Sequence, residues 1–186
     1  MTWGMQTPSY NKRIFNARSE TIYTKPTFCD LISKKQTCVW AIDGYYEWKE
    51  KQPYFICRKD GAPLLLAGLY RNCTSSSGEM TFAILTMDAC PSMERLHPRQ
   101  PVILCAKQAL QWLNDPCPQW VQSICSFSNN KQSTIETELH FYPVTKRMSD
   151  GKYRGEDCTK EILLGKRSLK AFFIFFIAAM FLVKFV

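Results

Sequence analysis

A chain of 186 residues, 46% of them hydrophobic, can bury one sizeable core, and a single domain is the expectation. Its 24 Lys+Arg against 16 Asp+Glu give a formal net charge of +8, which favours an anionic partner, nucleic acid or an acidic membrane surface, although solvated basic faces are also common in proteins that bind neither. The nine cysteines stand singly, with no C-x-x-C pair and only two histidines, far apart. That pattern indicates neither a zinc site nor a disulfide framework, so no metal or cofactor is expected and reduced thiols in an intracellular compartment are the reading.

The start, Met1 to Gln6, has no basic segment followed by an apolar one and so no secretory signal. Asn72-Cys73-Thr74 fits a glycosylation sequon but has no consequence without export. Strand signals then dominate: Cys38 to Ile42, Tyr45 to Trp48, Tyr54 to Arg58, Pro63 to Tyr70, Met80 to Met87, Val102 to Cys105 and Leu139 to Val144 are short runs rich in aromatic and branched residues. Asp60-Gly61 predicts a hairpin between two of them, because a tight primed turn needs positive φ. Cys73 to Gly78 reads as a polar loop. Lys107 to Asn114 reads as a short helix ended by Asp115-Pro116, and Gln119 to Cys125 as a second helical piece. The expected fold is α+β and mainly antiparallel, a β-rich sheet or barrel with short helices.

The tail changes character. Every residue from Ala171 to Val183 is apolar, and Lys166, Arg167 and Lys170 stand just before it. A bilayer crossing needs about 20 such residues, so the run is short for an anchor. Membrane association through residues 171–186 and a packed extension both stay open.

Two segments carry candidate chemistry. Glu47 lies among Tyr45, Tyr46 and Trp48; if those rings pack around it, lost hydration raises its pKa toward the range useful for proton transfer. Alternatively Tyr46 and Trp48 face a core while Glu47, on the other side of an alternating strand, sits in water. His97, between Leu96 and Pro98, falls in a loop ahead of Val102-Ile103-Leu104, where an imidazole can exchange a proton near neutral pH or be an ordinary surface residue.

These segments belong to a longer ordered series. Trp3-Gly4, Asn16-Ala17-Arg18-x-Glu20-Thr21, Asp43-Gly44-Tyr45-Tyr46-Glu47-Trp48, Pro53-Tyr54-Phe55-Ile56, Ala67-Gly68-Leu69, Phe82-x-Ile84-Leu85-Thr86 and His97-x-Arg99-x-Pro101 follow one another, and then Trp112-Leu113 and Phe141 to Thr145. The series, from Trp3 to Cys158, resembles the SRAP (SOS response-associated peptidase) family. The resemblance implies a β-rich α+β domain over 1–160, with a basic then hydrophobic tail over 161–186. It also implies a monomer acting in the nucleus on single-stranded DNA with abasic sites. Family members process themselves and attach covalently to the sugar aldehyde through a cysteine after the initiator methionine.

Carried onto this chain, the resemblance makes Asn16, Glu47 and His97 the catalytic residues. Asn16 would hydrogen-bond the nucleophile or sugar, Glu47 would shuttle protons, and His97 would assist ring opening. Trp3, Arg18, Trp48, Thr86 and Arg99 would contact DNA, Arg18 through phosphate and the tryptophans through base stacking. In isolation Asn16 reads equally as a turn residue, Arg18 as a solvated cation, and the tryptophans as core. This chain begins Met1-Thr2, without the family's cysteine-bearing start, so an amino-terminal truncation with impaired covalent chemistry is expected. A noncatalytic single-strand-binding module and a membrane-associated protein are the competing readings.

Overall fold

The computed structural model describes residues 1–7, 10–72, 79–125 and 138–164. In chain order the first strands are short: β1 (Thr2–Trp3), β2 (Met5–Thr7), β3 (Tyr10–Ile14) and β4 (Asn16–Arg18). Helix α1 (Pro26–Ser33) follows, then β5 (Thr37–Ile42), β6 (Gly44–Lys49), β7 (Gln52–Arg58), β8 (Leu64–Asn72) and β9 (Met80–Asp88). Beyond them come α2 (Pro91–Glu94), β10 (Arg99–Pro101), β11 (Ile103–Leu104), α3 (Ala106–Asn114), α4 (Pro118–Ile124) and β12 (Leu139–Pro143).

The centre is an antiparallel ribbon in which β8 pairs with β5 on one side and β9 on the other. Along the outer edge of β9, β1 and β4 both pair parallel to it. On the inner side β10 pairs with β9 and β11 with β8. Val102 bridges the diverging strands, donating to the Leu85 carbonyl at 2.9 Å and accepting from the Ala67 N–H at 3.0 Å. The sheet is thus mixed, and the parallel pairs arise because the hairpin β2–β3 lifts off between β1 and β4 and returns the chain in the same direction. A second sheet, in the order β12-β7-β6, is antiparallel, and the described strands form separate sheets without closing into a barrel.

Alternation along the strands sorts the core into layers. Ala67, Leu69, Ala83, Leu85 and Met87 face α1, α3 and α4, where Trp112 is fully buried. Its indole N–H donates to the carbonyls of Cys38 and Gly68, which fixes α3 across the sheet. On the other face Leu64, Leu66, Phe82 and Ile84 meet Tyr45 and Ile56 of the small sheet. Tyr46, Phe55, Val144 and Met148 form a third cluster on the outer side of that sheet.

The strands expected from Cys38 to Met87 and at Leu139 to Val144 are present with modest changes of boundary, as are the two helical pieces. The hairpin at Asp60-Gly61 is not: Gly61 does turn with φ of 72°, but β7 joins the small sheet and β8 the large one, so the flanking strands never pair. Arg58 and Asp60 instead pin the turn through a side-chain hydrogen bond of 2.8 Å. Cys29, Cys38, Cys57, Cys90, Cys105, Cys117, Cys125 and Cys158 are all free thiols. Among the described residues no helix is long and apolar enough to cross a membrane. The sequon at Cys73, the loop to Gly78 and the apolar run Ala171 to Val183 lie outside the described residues.

Candidate active site

The seam between the two sheets contains a cavity of about 150 Å³. The parallel register Asn16↔Ile84 and Arg18↔Thr86 aligns those four residues in the cavity wall, with Ala17 between them turned into the core. Strand β10 adds Arg99, Gln100 and Pro101, and β6 contributes Glu47 from the small sheet. Of the residues named from sequence, the cavity gathers Asn16, Arg18, Glu47, Thr86 and Arg99.

Glu47 is only 7% exposed. Both sequence-level readings of it were half right: Tyr46 and Trp48 do pack on the far side of β6, but the near side faces the large sheet rather than water. Burial drives its carboxyl up to about 8, against a weaker opposing hydrogen bond from the Trp48 backbone. A carboxyl in that range carries a proton at neutral pH and can release it at little cost.

The two arginines differ. Arg18 is exposed at the cavity lip. Arg99 has 17% of its side chain exposed and is clamped: Glu20 takes both ends of its fork, Asp88 accepts from Nη1 at 2.6 Å, and the Thr86 carbonyl accepts from Nη2 at 2.9 Å. Its buried Nε–H has no partner among the described residues. For Glu20, burial would push the carboxyl up, yet the Arg99 hydrogen bond and charge hold it below its ordinary value. Arg99 thus stitches the segment after β4 to β9 and β10, and a phosphate approaching its fork meets two carboxylates already there.

His97, Trp3 and Trp48 are not in the cavity wall. His97 is half-buried after α2, with Nδ1 accepting the Arg99 N–H at 3.0 Å. That bond braces the turn into β10. Trp3 packs against the inter-sheet core and donates through Nε1 to the Phe15 carbonyl at 3.0 Å. Trp48 packs with Tyr46, Val144 and Met148 and donates to the Ser149 hydroxyl at 3.3 Å.

Sequence reasoning missed Ile84, Gln100 and Pro101 in the wall and Glu20 as the partner of Arg99. Gln100 is 3% exposed and its side-chain carbonyl accepts the Cys90 N–H at 2.9 Å, which ties β10 to the start of α2. Each of the four stood inside a quoted motif that also held a residue singled out. Among the described residues no group of three or more His, Cys, Asp or Glu side chains could hold a metal ion.

Fold and cavity together define an α+β protein with a cleft between a mixed sheet and a smaller antiparallel one, lined in part by a buried carboxyl. The chain belongs to the SOS response associated peptidase (SRAP) family, whose model matches residues 1–150. It is similar to the abasic site processing protein YobE of Bacillus subtilis, 32% identical over 67% of this chain and 63% of the relative. A second relative, the abasic site processing protein YMR114C of Saccharomyces cerevisiae, is 30% identical over 88% of this chain and 47% of its own length. The mouse abasic site processing protein HMCES is 29% identical over 61% of this chain and 44% of its own. The alignments thus span between about half and three-fifths of the length of these relatives. A crystal structure of a Bacteroides thetaiotaomicron protein superposes with a TM-score of 0.65 at 26% identity, over 80% of this chain and 66% of that one.

Proposed function

We propose that this chain binds single-stranded DNA and takes an abasic sugar into the cavity between Asn16 and Glu47, as part of the DNA damage response. One observation carries the reading: a carboxyl raised to about 8 by burial, in a cavity of about 150 Å³ with a cationic lip. A cavity of that size suits a single small ring, which a baseless deoxyribose is and an intact nucleotide is not. The names of the relatives support the same substrate.

Protonated Glu47 gives its proton to the ring oxygen as the C1′–O4′ bond breaks, while the C1′ hydroxyl passes its own proton to solvent water and becomes the aldehyde. The resulting carboxylate takes up a proton when an amine adds to that aldehyde. Asn16 supplies a donor and an acceptor for the sugar hydroxyls, and Arg18 offers a planar fork to the adjacent phosphate. His97 assists ring opening from its place beside β10. Thr86 completes the DNA contacts from the cavity wall, while Arg99, Trp3 and Trp48, each engaged within the protein, back the strands that carry it. Covalent capture and peptidase- or lyase-type processing belong to this reading. The domain that performs it runs over 1–160, with 161–186 as a tail, and the protein works as a monomer in the nucleus.

Fluorescence anisotropy with labelled single-stranded oligonucleotides tests binding, and a denaturing gel after incubation with a natural abasic site tests capture. The expected result is binding that weakens with salt, with preference for the abasic strand, and slower product formation in Glu47→Gln at unchanged affinity. Equal affinity for intact and abasic strands would overturn the reading and favour a noncatalytic single-strand-binding module.

A further inference from the structure

We infer that Phe15 is a stacking platform for the nucleobase next to the lesion, braced from below by Trp3. The inference rests on the reading of the cavity as an abasic-sugar site and adds a subsite to it.

Phe15 immediately precedes Asn16 and is 40% exposed. Its position is fixed on three sides. The Phe15 carbonyl accepts the Trp3 indole N–H and the Ile84 backbone N–H, each at 3.0 Å, and Ile84 itself lines the cavity. The Trp3 ring meets the Phe15 ring edge-on, with centroids 4.9 Å apart and planes at 69°. Gly4, at φ of 104°, lies directly against Phe15: a Cβ there would come within 2.9 Å of Phe15 Cε1. The backbone leaves the sheet at that point in a conformation other residues rarely adopt, and the space a side chain would fill is occupied by the ring. A ring held this way loses little freedom on binding, which favours affinity.

The surroundings select the occupant. Residues 1–19 contain Lys12, Arg13 and Arg18 and no Asp or Glu, and all three cations are exposed. An exposed aromatic ring with Arg13 against the same Gly4 and Arg18 at the lip of the adjoining cavity, one residue from a site sized for a baseless sugar, matches a nucleobase with its phosphates better than an apolar peptide. Stacking on such a face is tolerant of sequence, because every base has a π-face. Trp3 itself is packed against the inter-sheet core, so the structure assigns it the supporting role and Phe15 the contact.

The test pairs a protein change with a DNA change. Binding of the full chain is measured by anisotropy on a single strand carrying one tetrahydrofuran abasic analogue flanked by adenines. It is measured again on a strand whose flanking positions are also tetrahydrofuran. Phe15→Ala is expected to weaken binding to the first strand about tenfold and to leave binding to the second within about twofold of the parent, while Phe15→Trp keeps the parent affinity on both. Equal loss on the two strands, or no loss on either, overturns the platform while a preserved preference for abasic DNA leaves the cavity reading intact. Failure of the parent chain to bind any single strand overturns both.

Discussion

Glu47 has a thermodynamic signature independent of any assay of DNA chemistry. Its carboxyl titrates near 8 in the folded chain and near 4.5 as an ordinary glutamate, so between those values the folded state holds a proton that the unfolded state has released. Stability therefore falls as pH rises through that window. Glu47→Gln removes the ionisable group, and its melting temperature is expected to match the parent near pH 5 and exceed it by roughly 5 °C at pH 8; a parallel pH profile in both proteins would refute the burial argument. The arginines make a second contrast. Arg18→Ala, at an exposed position, should leave stability within about 0.5 kcal/mol and reduce the salt slope of single-strand binding by about 0.7. Arg99→Ala leaves Glu20 and Asp88 without their shared partner and should cost about 1–3 kcal/mol in urea denaturation.

Strand β6 explains why the site was partly legible from sequence. Its alternation was correct, with Tyr46 and Trp48 on one face and Glu47 on the other, but period two cannot say what covers the second face. The small sheet stacks on β9, and that single tertiary fact decides between a solvated glutamate and a buried acid. The Asp60-Gly61 turn illustrates the same limit, since local chemistry fixed a positive φ without fixing which strands pair. Strands β1, β4 and β10 were missed because two or three residues carry no periodicity. Helix α1 was legible in principle, with Pro26 in its first turn and Phe28 and Leu31 buried on one face. Docking of α3 offers a check on the layer it belongs to. Trp112→Phe keeps the apolar bulk but strands the carbonyls of Cys38 and Gly68, and should cost about 2 kcal/mol by chemical denaturation.

Taken as one body, the molecule joins two opposed titrations. Glu20, held below its ordinary pKa by Arg99, contributes stability that is present above pH 4.5 and lost as pH falls through its folded value. Glu47 acts oppositely from about pH 4.5 to 8. The parent chain should therefore melt highest near pH 5, and Glu20→Gln should weaken the fall on the acid side, as differential scanning fluorimetry would record. The outer margin of β9 adds a kinetic consequence. β1 and β4 hold to it by two and three residues, while β5, β8 and β9 form a much longer ladder beside them. Such a border can fray without melting its interior: the amides of Gly4 and Ile84, which bond across it, should exchange with deuterium sooner than those of β8. Warming would then disorder the Asn16–Arg18 wall of the cavity several degrees before circular dichroism registered any loss of strand.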